Sequence, residues 1–224
     1  MKKLPFLAAC VLLAASAQVA SSATILDTTS ITPNSSFGLN TFPTQQWFAG
    51  IQVDAGTPTA AFESFTVQGK PGFSSMTFTY MDATLTGGIF ADDLTTELAD
   101  FNEVLVPASL GSGSTPVTFT AVAPINLVAG NNYWFKVAAA NSNGGSILGA
   151  ISGSPTMASG YTYLGVKNGT GTPYSSVFSN ATISVVPEPT THALLLAAGL
   201  CGILRLRRKA PTPQGAGAKS GKEL

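Results

Sequence analysis

Apolar and polar side chains alternate in short runs through the middle of the chain. Met76, Phe78 and Tyr80 alternate with Thr77 and Thr79, Val117, Phe119 and Ala121 with Thr118 and Thr120, and Tyr133, Phe135 and Val137 with Trp134 and Lys136. A period of two puts every second side chain on one face, so each run predicts a strand that buries one face and wets the other. Val177, Ala181, Ile183 and Val185 line one side of a last segment, and residues 47–53, 62–67, 147–151 and 161–166 are further strand candidates. Gly, Pro and Asn punctuate the intervals, at Pro58, residues 69–72, Gly87-Gly88, residues 111–113, 130–132, Gly144-Gly145 and 169–171. So many short strands between turns predict an all-β fold, a β-sandwich of jelly-roll type.

One stretch departs from this pattern. Across residues 92–105, Leu94, Leu98, Phe101 and Leu105 fall at helical spacing, with Asp93, Glu97 and Asp100 elsewhere on the wheel. The spacing predicts a helix of one or two turns, or a long loop, across one end of the sandwich, with Asp92 or Asp93 capping its start.

The two ends read differently from the middle. Met1-Lys2-Lys3 is followed by an apolar run over residues 4–17 and by the small residues Ser21-Ser22-Ala23. That order is a secretory signal, a helical segment over residues 1–23. The small side chains of Ser21 and Ala23 suit a signal peptidase, which places the cut between Ala23 and Thr24. Cys10 lies inside the apolar run and reads as a small hydrophobe.

At the other end, Val186-Pro187-Glu188-Pro189 precedes Thr190-Thr191-His192, an apolar run over residues 193–204, and the cluster Arg205, Arg207, Arg208 and Lys209. A helix of that apolar length reaches about 18 Å against roughly 30 Å of hydrocarbon. It is a marginal transmembrane helix, extended by its flanks and by snorkelling arginines. Basic residues stay cytoplasmic, so the arginines fix the tail inside and the middle domain outside. The chain thus divides into a signal peptide (1–23), an extracytoplasmic domain (24–185), a C-terminal segment (186–209) and a disordered cytoplasmic tail (210–224).

Charge sharpens this division. The chain is neutral overall, yet residues 24–186 hold nine carboxylates and three cations, Lys70, Lys136 and Lys167, a net of −6. An acidic domain repels phosphate backbones, which argues against nucleic acid as a partner. The compensating positive charge sits at the two ends, as membrane topology requires.

Taken together, the Pro187-Glu188-Pro189 triplet, the short apolar helix and the Arg207-Arg208 pair resemble the PEP-CTERM sorting signal of Gram-negative bacteria. The resemblance covers residues 186–209. It implies recognition of the triplet by an exosortase, a membrane transpeptidase that removes the helix and passes the protein outward, and an association with exopolysaccharide and biofilm. The physical reading agrees with a handle: Pro187 and Pro189 hold the backbone extended and keep it out of any sheet or helix, so that Glu188 projects for a protease-like groove. A second likeness lies in Leu127-Val128-Ala129-Gly130-Asn131-Asn132-Tyr133-Trp134, which follows Thr118-Phe119-Thr120. This resembles the choice-of-anchor extracellular β-sandwich domains, which carry no general activity. Here Gly130 supplies a positive φ at the turn, Tyr133 and Phe135 enter the core, and Trp134 packs on the other face or is exposed.

Little chemistry is available to the domain. The one histidine, His192, lies in the C-terminal segment, and the two cysteines, Cys10 and Cys201, lie in the terminal apolar runs. That removes Ser-His-Asp and Cys-His triads and His/Cys zinc sites from the domain, and the expectation is a non-enzymatic protein with no resident cofactor. Asp92, Asp93 and Glu97, with Asp100 and Glu103, form the densest acidic set. It reads as a solvated face, with calcium as its functional alternative and a carboxylate-pair glycosidase as a remoter one. Trp47 and Trp134, and behind them Tyr161, Tyr163 and Tyr174, are the aromatics that could stack on sugar. The expected function is an exported surface or matrix protein, structural or adhesive toward exopolysaccharide. Its partners would be signal peptidase, exosortase and the membrane, and a carbohydrate-binding module is the alternative reading.

Overall fold

The computed structural model of the chain describes residues 21–39, 45–169 and 171–188. Residues 1–20 of the expected signal segment, Pro189, the apolar C-terminal run with Arg205, Arg207, Arg208 and Lys209, and the expected tail lie outside the described residues. In chain order the strands are β1 (Ala23–Asp27), β2 (Ser35–Gly38), β3 (Gln46–Val53), β4 (Ala60–Lys70), β5 (Gly72–Ser74), β6 (Thr79–Met81), β7 (Ala83–Phe90), β8 (Glu97–Asp100), β9 (Val104–Val106), β10 (Thr115–Phe119), β11 (Asn126–Leu127), β12 (Asn132–Ala139), β13 (Ser146–Ala150), β14 (Thr156–Met157), β15 (Tyr161–Asn168), β16 (Val177–Phe178) and β17 (Thr182–Pro187). A single 3₁₀ turn, Ala108–Leu110, is the helical element among the described residues.

The strands form an all-β, sandwich-like fold. One sheet runs β14-β1-β17-β4-β13-β16, with β10 and β11 also on β4 and β2 on β13; the second runs β15-β3-β12-β7-β8, with β9 on β7; β5 and β6 make a separate hairpin. The period-two runs explain the core. Phe65 and Val67 of β4, Val117 and Phe119 of β10, Phe135 and Val137 of β12 and Ile183 and Val185 of β17 are all buried. Their inward faces meet in a cluster of phenylalanine rings, in which Phe65 stands 5.5 Å from Phe135 and Phe101 stacks on Phe119 at 5.5 Å. Thr28 closes the β1–β17 corner inside the core. Its hydroxyl donates to the carbonyl of Phe178 at 2.6 Å and accepts from the Ala181 amide at 2.7 Å.

Three expectations change. First, no helix spans residues 92–105: the chain turns at Asp92–Thr96 and returns as β8 and β9, both antiparallel to β7. Phe101 is buried, but Leu98 and Leu105 are 42% and 57% exposed, so the helical spacing of these residues does not describe a buried stripe. Second, Gly87-Gly88 is not a turn but the middle of β7. A β-carbon at Gly87 would collide with the Lys136 carbonyl and crowd the Phe101 ring at 3.1 Å, so the glycines mark close packing. Third, the alternating run at 76–80 buries nothing: Met76 and Phe78 are 90% and 80% exposed, in the turn and tip of the β5–β6 hairpin. Gly130 adopts a φ of 82° in the turn before β12, as its sequence position predicts.

Candidate functional site

Both ends of the domain leave from neighbouring strands. β1 pairs antiparallel with β17, and Ala23, its first residue, stands opposite Val185. The hydroxyl of Ser22, one residue earlier, donates to the Glu63 carboxylate. The expected Ala23–Thr24 cut therefore falls at the first residue pair of the strand ladder.

The Pro187-Glu188 step is part of the fold, which corrects the expectation that its prolines keep the backbone out of any sheet. Pro187 is the last residue of β17, opposite Ala60 of β4. The physical reason is one of sides. Successive backbone amides of a strand point to opposite neighbours, and the Glu188 amide donates to the Thr59 carbonyl at 3.3 Å. Position 187 therefore faces the other way, toward β1, whose pairing with β17 ends at Ala23–Val185. No strand there asks Pro187 for a hydrogen. Glu188 is exposed but not free: the Asn126 side-chain amide donates to its carboxylate at 2.7 Å. The fold thus takes in Pro187 and Glu188.

Beside this exit lies a groove of about 540 Å³ walled by Asp92, Leu98, Ile125, Asn126, Asn132 and Tyr133. Tyr133 sets its floor. Its hydroxyl accepts from the Val128 amide at 2.8 Å and reaches the Asn126 carbonyl at 3.5 Å, which fixes the strand that carries Asn126.

Trp134 borders the same region but presents no open face. It is 2% exposed; a β-carbon at Gly50, its cross-strand partner, would stand 2.5 Å from the ring; and the Lys167 ammonium lies 4.0 Å above it. Its indole nitrogen donates to Asp92 at 3.2 Å. With Phe48 and Phe90 it forms a small second core on the outer face of the second sheet, and Lys136 sits 4.4 Å over the Phe90 ring. Burial thus removes Trp134 as a sugar platform in this conformation. Trp47 is half-buried, donates to the Gly38 carbonyl at 3.0 Å, and wedges between Phe37 at 4.5 Å and Tyr174 at 6.5 Å. Tyr161 is half-buried, and Tyr163 donates to the Ser176 carbonyl at 2.9 Å, its hydroxyl pushed well above the usual range by burial.

The acidic candidates do not converge. Asp92 is engaged by Trp134. Asp93 caps the 93–96 turn, accepting from the Thr95 amide at 2.9 Å, the Thr96 amide at 2.8 Å and the Thr96 hydroxyl at 2.7 Å. These bonds, above all that from the Thr96 hydroxyl, hold its carboxyl well below the usual carboxylate range. The capping role foreseen for Asp93 is therefore present, on a turn instead of a helix. Glu97 faces Lys136 at 3.5 Å. Its carboxyl is raised, first by partial burial and then by Asp100, against the opposing pull of Lys136. Asp92, Asp93 and Glu97 thus each serve a different partner, and among the described residues no three His, Cys, Asp or Glu side chains stand together as metal ligands.

Asn126, Gly50 and Lys167 carry no signal in the sequence, because each acts on a residue far along the chain: Asn126 on Glu188, Gly50 and Lys167 on Trp134. Compared with known proteins, the chain matches no family model and no curated protein.

Proposed function

We propose that this chain is an exported surface or matrix protein, cut by signal peptidase between Ala23 and Thr24, after the first residue of β1, and handed outward by an exosortase that reads Pro187-Glu188-Pro189. On this reading the inner membrane holds it only transiently, by the C-terminal helix stopped at Arg205, Arg207, Arg208 and Lys209. The domain waits in the periplasm before reaching the cell surface or the matrix. The observation that carries the reading is the β1–β17 pairing, with Ala23 opposite Val185. A leader before β1 and a tag after β17 emerge side by side, so both can meet one membrane while the domain stays folded. Glu188 lies exposed at that exit, at the boundary between domain and tag.

The role is structural or adhesive toward exopolysaccharide, and non-catalytic. The commitment of Asp92, Asp93 and Glu97 to separate hydrogen bonds and ion pairs supports this over carboxylate-pair chemistry. We further assign the sandwich to the jelly-roll type. The chain crosses between the two main sheets from β2 to β3, from β3 to β4, from β4 to β7, from β9 to β10, from β11 to β12, from β12 to β13, from β14 to β15 and from β15 to β16, a succession of crossings that supports such winding. Expression with and without an exosortase, followed by the intact mass of the released protein, tests the sorting claim. Loss of the segment beyond Glu188 only when the transpeptidase is present supports it; release with the tag intact in both hosts refutes it.

A further inference from the structure

We propose that the groove under the β5–β6 hairpin binds a neutral polysaccharide, with Phe73, backed by its cross-strand neighbour Tyr80, as its stacking platform. The groove measures about 730 Å³ and runs between the hairpin and the strands β2 and β13. Its walls combine apolar Phe73 and Met76 with polar Ser36, Ser75, Ser142 and Asn143, and among the described residues no charged side chain lines it. Aromatic faces suit the C–H face of a pyranose, and hydroxyls and amides suit its equatorial hydroxyls. With no charge on the walls, a uronate or a phosphate finds no counter-ion, so the polymer that fits is neutral.

Two features point to a partner instead of idle surface. Phe73 and Tyr80 are cross-strand neighbours whose rings stand 5.2 Å apart, 52% and 39% exposed. Phe78, at the hairpin tip, holds a φ of 52° while its ring is 80% exposed. A bulky side chain in left-handed backbone, with its ring in water, costs the fold twice and gains it no packing. The platform is also held in place. Gly72 lies so close to the Asn143 carbonyl that a β-carbon would collide with it, and the Asn143 amide donates to the Asp82 carbonyl at 3.0 Å. The nearest acid, Asp82, spends a carboxylate oxygen on the Ala108 amide at 2.7 Å.

The hairpin lies at the far end of β4 from the exit. Ala60 begins β4 opposite Pro187, and Lys70 ends it beside the hairpin, roughly 33 Å away at 3.3 Å per residue. A chain tethered beyond Glu188 would therefore hold this groove outward. The inference deepens the adhesive reading and rests on it for its biology, but not for its test.

That test is affinity electrophoresis of the purified full chain in gels containing dextran, galactomannan or mixed-linkage β-glucan, with alginate as the anionic comparison and phosphatidylglycerol vesicles as the lipid one. We expect retardation by at least one neutral polymer and none by alginate. Phe73→Ala and Tyr80→Ala should each weaken it about tenfold with an unchanged melting midpoint, and Ser75→Asp, exposed and far from the core, should weaken it too. No retardation by any neutral polymer, retardation by alginate or vesicles alone, or retardation indifferent to Ser75→Asp and to whichever aromatic variants fold would overturn the inference. Binding without exosortase processing would remove the sorting reading alone, and processing without binding would remove this one alone.

Discussion

The side-chain amide of Asn126 donates to the carboxylate of Glu188 at 2.7 Å and, with the Glu188 amide on Thr59, lays the start of the Pro-Glu-Pro triplet back onto the sandwich. A protease-like groove that grips an extended peptide needs both sides of that backbone. The last residue of β17 and Glu188 must therefore lift from β4 and β11 before the triplet can be engaged.

Removing the clamp should loosen this end and leave the rest alone. Asn126→Ala deletes one exposed hydrogen bond to a carboxylate that solvent screens, so global stability should fall by no more than about 1 kcal/mol. The Glu188 amide should exchange with solvent several-fold faster, measured by hydrogen exchange. In an exosortase host, processing should be as fast as in the parent protein or faster; slower processing would mean that Asn126 presents the motif instead of restraining it.

The Trp134 site gives a prediction from packing. Gly50→Ala places a β-carbon against the indole, whose ring is already packed with Phe48 and Phe90 and covered by the Lys167 ammonium. Overpacking of this kind costs about 1–3 kcal/mol. Urea unfolding followed by tryptophan fluorescence should show the lower midpoint, with a shifted native emission.

Lys167→Gln should uncover Trp134 without unfolding the domain. The loss of a partly exposed cation–π contact is worth about 0.5–1 kcal/mol. Iodide should quench the indole more strongly in the variant than in the parent; equal quenching would show that Lys167 does not cover the ring in solution.

Asp93 sets the acid side of the stability profile. Its folded carboxyl lies below the unfolded value, so its contribution is present above about pH 3.9 and is lost as pH falls through the folded value. Asp93→Ala should therefore be less stable than the parent by a constant amount from neutral pH down to the ordinary carboxylate range, and the gap should close only at stronger acid. Glu97 has the opposite sign. Its raised carboxyl favours the folded state at low pH, and this advantage is lost as pH rises through the folded value. Chemical denaturation across acid pH separates the two.

What the sequence discloses here follows the reach of each interaction. β10, β12 and β17 are readable because a strand with one buried face writes its alternation into a few consecutive residues, as Val117 and Phe119 or Phe135 and Val137 do. The 76–80 run has the same alternation, but its partner face is solvent, and nothing local distinguishes the two. Gly87-Gly88 looks like a turn because the cause of its glycines, the Lys136 carbonyl and the Phe101 ring, comes from other strands. Leu94, Leu98, Phe101 and Leu105 match a helix by spacing, while the chain spends Leu94 on the turn at 92–96 and the other three along the edge of β7. The candidate site is less legible still. Asp93 caps its turn from three residues away, but the Asn126–Glu188 clamp and the Gly50–Trp134–Lys167 stack join residues dozens of positions apart. Only the order of residues at the two ends announces the proposed export.

Mass spectrometry of the intact protein recovered outside an exosortase-bearing host tests that announcement most directly. The account predicts a chain that begins at Thr24 and has lost the apolar run and the arginines, ending at or beside the Pro187-Glu188-Pro189 triplet. A protein recovered from the cell interior with residues 1–23 and 190–224 both still attached would contradict it.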